Sequence, residues 1–397
     1  MGHGTGTSSG KPGTHFRRND GTASHITLTN SMTTAYPTIR AASVIGAGAW
    51  GTTLARHLAN QGLTVTLWTY EPDVVDQINL TRENARFLPG VTLPATISAT
   101  HSLREAVTQP DLLVLAVPSH AMRTVIRQLQ PALARPVPVV VASKGIEEDS
   151  LLLMSQVLTE LLPAAWSPGV AVLTGPSFAA ETCRDKPTTV LLAGRDASLM
   201  AHLQTVFMAA SFRVYIGTDL IGAQLGGALK NVMAIAAGVV DGLELGLNAR
   251  AALITRGLAE VIRLGVALGA DVHTFYGLSG LGDLILTGTG SLSRNHAVGL
   301  QVATGRRLEE ILKETVTVAE GVRTTKAALA LAQRCQVDMP IVQCVHAVLF
   351  EGKPPTHVVA DLMARSAKEE TPHTMSGQTP RPLDSCVRRN DGGGPPS

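Results

Sequence analysis

The feature that most constrains this chain is a glycine-rich turn, Val44-Ile45-Gly46-Ala47-Gly48-Ala49-Trp50-Gly51, followed by the helical TTLARHLANQG and the extended TVTLW. Strand, G-x-G-x-x-G, helix and strand come in the order of a β-α-β unit. In such a unit Gly46 permits a tight turn, Gly48 lets backbone approach a pyrophosphate, and Gly51 lets helix pack on strand. The helix N-terminus then faces the phosphates. An ordinary glycine loop is the rival reading, and the flanking strands favour a dinucleotide.

From Ala42 to about Ile216 the runs ASVI, TVTLW, LLVLAV, VPVVVA, GVAVL, TTVLLA and FRVYI alternate with helical patterns. Runs apolar on both faces and separated by crossover helices predict an α/β, doubly wound parallel sheet. After Asp219 the pattern becomes long Ala/Leu/Gly-rich stretches at helical spacing, such as GAQLGGALKNVMAIAAGVV and ARAALITRGLAEVIRLGVALG, which predict an all-α second domain. Gly inside a helix costs roughly 1 kcal/mol relative to Ala, so these glycines imply close approach of backbones. The expected division is an extension over 1–40, a dinucleotide-binding domain over 41–218, a helical substrate domain over 219–370 and a tail over 371–397.

Both ends are rich in small and polar residues with little hydrophobic periodicity, and disorder is the expectation there. RRND occurs in each, at Arg17–Asp20 and Arg388–Asp391, as if translated from repetitive DNA around the gene, with Met32 as an alternative start. An organelle-targeting peptide is the rival reading of the head.

Composition narrows the function classes. With 397 residues, about two domains are expected. A content of 45% hydrophobic and 16% charged residues fits a folded core. The net charge of +2 is spread without a basic stripe, so nucleic acid is not an expected partner. Neither a long uncharged apolar stretch nor a secretory pattern stands out, so no membrane insertion and a cytoplasmic location are expected. Four dispersed cysteines and scattered histidines show no metal-ligand spacing, and no metal site is expected.

Candidate chemistry lies at strand ends and in the helical half. The second strand ends at Trp68-Thr69-Tyr70-Glu71, where an acid binds ribose hydroxyls and a base accepts the extra phosphate of NADP. Glu71 tilts the choice toward NAD, unless it caps the helix opening at Pro72. Lys144, in VVVASKGIE, is placed either to meet an anionic ligand or to sit solvated in a loop. The turn Thr174-Gly175-Pro176-Ser177 could hold substrate through N–H groups and a hydroxyl. Lys230 and Asn231 interrupt an apolar helix, where burial would lower the lysine pKa toward the range useful for proton exchange near neutrality. A structural ion pair is the alternative for Lys230. Asp283, Thr287, Ser293, Arg294 and Asn295 fall close together further on, and Arg with Ser and Asn suits a small phosphate or carboxylate.

Taken in order, GAGAWGTTLA, AVPSHA, ASKG, LTGPSFAAE, GGALKNVMAIAAG, TRGLAE, GLSGLGDLILT, SRN and VAEGVRTT closely resemble the bacterial NAD(P)-dependent glycerol-3-phosphate dehydrogenases, from about Ser43 to Arg365. That resemblance implies that Lys230 exchanges the proton, with Lys144 and Asp283 in its polar network. It implies substrate contacts at Lys144, Gly175, Ser177, Lys230 and Asp283, and phosphate contacts at Arg294 and Asn295 with Ser293 and Thr287. Besides Gly46, Gly48 and Gly51, it implies cofactor contacts at Ala49, Trp50, Tyr70, Lys144, Ala179, Arg294, Val318 and Glu320. NAD or NADP is the implied cofactor, a phosphorylated three-carbon compound the substrate, phospholipid synthesis the destination of the product, and a homodimer the assembly. Tyr70 replaces a basic residue common in relatives, and Thr287-Gly288-Thr289 lacks a cysteine common there. Competing readings are another two-domain dehydrogenase, of 3-hydroxyacyl-CoA or 6-phosphogluconate type, and a non-enzymatic cofactor-binding protein.

Overall fold

The computed structural model describes residues 1–2, 36–314, 319–367 and 370. By compactness the chain divides between Ala35 and Tyr36, and the architecture below belongs to the second unit. The expectations of disorder at the two ends, and the start at Met32, lie outside the described residues except at their margins.

Among its described residues ten strands form: β1 (Ala41–Ile45), β2 (Thr64–Trp68), β3 (Glu83–Asn84), β4 (Leu88–Thr92), β5 (Ile97–Thr100), β6 (Leu112–Leu115), β7 (Val139–Val141), β8 (Val170–Thr174), β9 (Thr188–Gly194) and β10 (Phe212–Gly217). Eight make one sheet in the order β10-β9-β8-β7-β6-β1-β2-β5, while β3 and β4 pair separately. The doubly apolar strands have a physical explanation in the pleat, which sends alternate residues to opposite faces. Val140, Leu112 and Val114 join one core, whereas Val139, Val141, Leu113 and Leu115 join a second core on the other face.

Six neighbouring strands, β5 to β8 across the sheet, are parallel, but β9 runs antiparallel to β8 and carries β10 with it. This departs from the all-parallel expectation. The link after β8 contains only the four-residue helix Ala179–Thr182, which is too little for a crossover, so the chain turns back beside the strand it has just left. Sequence patterning also passes over β5, an edge strand whose ISAT carries little apolar signal.

The glycine turn leads into helix α1 (Ala49–Asn60). In the C-terminal half, helix α2 (Leu220–Gly242) is buried along nearly its whole length. It is apolar and long enough to cross a membrane, yet all of its apolar window lies inside the protein. Around it pack α3 (Gly246–Ala267), α4 (Asp283–Thr289), α5 (Arg294–Ala303), α6 (Glu320–Cys335) and α7 (Pro340–Phe350). The expected role of the helical glycines is visible here. A Cβ on Gly238 would stand 2.0 Å from the carbonyl oxygen of His296, and one on Gly299 would stand 2.0 Å from that of Ile235. Helices α2 and α5 therefore cross backbone to backbone.

The sheet and the helices are stitched beside the carboxyl end of β7. Ile146, Leu151 and Leu153, from the loop after that strand, belong to the core of the helical half. Gln224 of α2 exchanges two hydrogen bonds with Ser155, accepting from its backbone N–H at 2.9 Å and donating to its hydroxyl at 2.8 Å.

Candidate active site

At the glycine turn, three positions differ in what they demand. Gly46 has φ +114°, and a Cβ there would lie 2.8 Å from the backbone of Ala116. A Cβ on Gly51 would lie 1.8 Å from the carbonyl oxygen of Gly46. Both are required by the protein itself. Gly48 has an ordinary φ of −64°, with no atom within 4 Å of its would-be Cβ. Open space lies over a helix start that no side chain caps, so the N–H groups of Ala49, Trp50 and Gly51 are left for an anion. The residues present thus fit the pyrophosphate of a dinucleotide.

A buried amide that sequence reasoning missed holds this turn. Asn84, on β3, donates to the carbonyl of Ala47 at 2.7 Å and to the hydroxyl of Thr52 at 2.8 Å. Beside the turn, the indole N–H of Trp50 is buried without a partner among the described residues. Ala179, at the start of its short helix, accepts from the Thr53 hydroxyl of α1 at 3.4 Å.

At the end of β2, Tyr70 is 81% exposed. Glu71 occupies the N-cap position of the helix Pro72–Thr81 without making a side-chain cap. Its carboxylate instead accepts from the Thr69 hydroxyl at 2.7 Å.

The lysines converge on one carboxylate. Lys230, on α2, donates to Oδ1 of Asp283 at 2.5 Å and to the Thr287 hydroxyl at 2.8 Å. Lys144, at the end of β7, donates to Oδ2 of the same residue at 2.5 Å and to the carbonyl of Gly175 at 3.2 Å. Asp283 is fully buried at the start of α4, and a π-helical turn, Leu278–Gly282, delivers it there. Burial lowers the Lys230 pKa to about 7; Asp283 opposes that shift and Lys144 reinforces it. Two ammonium groups on one carboxylate suit an anionic ligand, and the ion pair expected as the alternative for Lys230 is present.

The remaining substrate candidates are distributed around this centre. Gly175, with φ +135°, follows β8, and Ser177 turns back to donate to its carbonyl at 3.0 Å. Asn295 donates to Oδ1 of Asn231 at 2.9 Å and accepts from the Gly321 N–H at 3.0 Å, tying α5 to α2 and α6. Ser293 caps α5, accepting from the His296 N–H at 3.2 Å. Arg294 is open to solvent but ringed by protein, which lowers its pKa against the pull of Glu320. It makes no hydrogen bond to the described residues.

Glu320, at the start of α6, accepts from Ser119 twice, from the backbone N–H at 3.0 Å and from the hydroxyl at 2.6 Å. The partner Ser119, in AVPSHA after β6, is a second polar clamp that sequence reasoning missed. Val318 lies outside the described residues.

Comparison with known proteins covers both halves. Residues 41–200 match the family described as NAD-dependent glycerol-3-phosphate dehydrogenase N-terminus, and residues 219–360 match its C-terminus. A relative from Geobacter metallireducens, named glycerol-3-phosphate dehydrogenase (NAD(P)+), is 54% identical over 82% of this chain and 98% of its own length. Its counterpart from Geobacter sulfurreducens, with the same name, is 52% identical over the same shares. Among solved structures, the crystal structure of glycerol-3-phosphate dehydrogenase from Coxiella burnetii is similar with a TM-score of 0.79 and 38% identity, over 83% of this chain and all of that one.

Proposed function

The chain belongs to the NAD-dependent glycerol-3-phosphate dehydrogenase family, and from that premise we propose that it interconverts dihydroxyacetone phosphate and sn-glycerol 3-phosphate with Lys230 as the proton-exchanging group. The observation that carries this reading is the buried contact of Lys230 with Asp283 beside Lys144. NAD or NADP, when bound on the turn Gly46–Gly51, supplies or takes the hydride at the substrate's second carbon.

In the reducing direction, protonated Lys230 stabilises the carbonyl oxygen as negative charge develops and then gives it a proton. The neutral amine left behind regains its proton from solvent. In the oxidising direction neutral Lys230 takes the hydroxyl proton. Asp283 orients Lys230, and Lys144 raises the local positive charge against which the anionic substrate is held. Arg294, Asn295 and the start of α5 receive the substrate phosphate, with Gly175, Ser177, Ser293 and Thr287 lining its approach. Ala49, Trp50, Tyr70, Ala179 and Glu320 would hold the cofactor together with Lys144 and Arg294, and closure of the helical half over the crevice would exclude water.

Division into a dinucleotide-binding part over 41–218 and a substrate part over 219–370 belongs to the same reading. So do a cytoplasmic location, a homodimer, and delivery of the product to phospholipid synthesis. Glu71, held by Thr69 at the end of β2, supports a preference for NAD over NADP.

The test is the initial rate of NADH and of NADPH oxidation with dihydroxyacetone phosphate. The reading expects turnover with both and a higher rate with NADH. Absence of substrate-dependent oxidation with either would refute it.

A further inference from the structure

Arg294 makes no bond to the described residues, so its aim is set by the helix on which it stands. That helix, α5, is held on α2 at three levels. At its start Asn295 donates to Asn231. Further along, Gly238 and Gly299 bring the two backbones into contact and act as a pivot. The third level is a charged cluster that neither the glycine turn nor the lysine centre uses: Nε2 of His296 lies 2.7 Å from Oδ2 of Asp241, whose Oδ1 accepts from Nε of Arg250 on α3 at 2.7 Å.

The position of Asp241 is unfavourable on local grounds. It stands in the last turn of α2, where the helix dipole disfavours negative charge and a cation would be the stabilising choice. Its two oxygens are each occupied from a different helix, His296 on α5 and Arg250 on α3, so the carboxylate fixes the angle of one helix against the others. His296 immediately follows Arg294 and Asn295 and is itself buried. Without it, rotation of α5 about the Gly238–Gly299 contact would be opposed at its start by the hydrogen bonds of Asn295 to Asn231 and Gly321.

We propose that His296, anchored by Asp241 and Arg250, is a positioning residue that aims Arg294 and the start of α5 at the substrate phosphate. This rests on the reading of Arg294 as the phosphate ligand. Steady-state kinetics of the full chain with dihydroxyacetone phosphate and NADH test it, using His296→Ala, His296→Gln, Asp241→Asn and Arg294→Ala.

Loss of one hydrogen bond to a charged group should raise the substrate KM about tenfold in His296→Ala, with kcat and the KM for NADH changed less than about twofold. The side-chain amide of His296→Gln can still donate to Asp241 and should restore the KM to within about threefold of the parent value. If His296→Ala does not fold, Asp241→Asn, which weakens the same anchor, should raise KM in the same selective way. An unchanged substrate KM in His296→Ala, or in Asp241→Asn where that variant replaces it, would overturn the proposal. So would parallel losses in kcat and NADH affinity, or a Gln variant no better than Ala. An unchanged KM in Arg294→Ala would overturn the reading of Arg294 and this proposal with it. A raised KM there beside an unchanged one in His296→Ala would overturn this proposal alone.

Discussion

Lys230 stands 2.5 Å from a carboxylate oxygen of the fully buried Asp283, and Lys144 occupies the other oxygen at the same distance. Asp283→Asn keeps the shape and removes the only negative charge of that trio. The Lys230 ammonium would then face Lys144 without a counter-ion and lose its proton more readily. We expect kcat for dihydroxyacetone phosphate reduction to fall by about 10²-fold or more, as general acid catalysis is lost. NADH binding, followed by its fluorescence, should persist.

The pH dependence follows from the same residue. With its pKa lowered to about 7, Lys230 is protonated below that value and neutral above it. Reduction needs the proton, so kcat/KM for dihydroxyacetone phosphate should decline as pH rises through about 7. Oxidation needs the free amine, so kcat/KM for glycerol 3-phosphate should rise through the same region. Initial rates in both directions across this range check the opposed limbs.

Two glycines of the turn should separate stability from cofactor binding. Gly51→Ala places a Cβ against the Gly46 carbonyl, so the turn must open and Tm should fall markedly. Gly48→Ala meets no protein atom and has an ordinary φ, so its Tm should match the parent. Its methyl would occupy the space read as the pyrophosphate site, and overpacking of about 1–3 kcal/mol corresponds to an NADH affinity weaker by about 5- to 150-fold. Thermal melts beside NADH titrations measure both.

Legibility of the fold in the sequence followed burial. The strands apolar on both faces were readable because VVV and LLVL can only be satisfied between two layers, and the helical half because its apolar spacing is long and regular. Strand direction was not readable at β9, since the short link after Thr174, and not the composition of TTVLLAG, turns it antiparallel. The site divided in the same manner. A lysine within GGALKNVMAIAAG is conspicuous against apolar neighbours, whereas Asn84 and Ser119 are polar residues in polar surroundings whose partners, Ala47 and Glu320, only the fold brings near. The carboxylate of Glu71 could equally have capped a helix, and in the fold it accepts from Thr69 instead.

Glu260 gives the helical half a pH-dependent stability. It is 2% exposed on α3 and accepts from the N–H groups of Ile341 and Val342 at 2.7 and 3.3 Å, capping α7 from outside. Burial raises its pKa from 4.5 to about 7, with Asp338 adding to the rise and the two N–H bonds and Arg263 opposing it. The folded state therefore binds more protons than the unfolded chain between these values, and stability falls as pH rises through them. Glu260→Gln removes this titration and keeps an acceptor for Ile341. Between about pH 5 and about pH 8 the parent Tm should fall more steeply than that of the variant, and parallel slopes would contradict the assignment.

The most direct measurement of the central claim is the turnover of Lys230→Ala with dihydroxyacetone phosphate, taken with its NADH affinity. The account predicts a kcat lower by about 10²–10⁴-fold, with NADH binding close to that of the parent. A kcat like the parent's, in a variant that binds NADH normally, would contradict it.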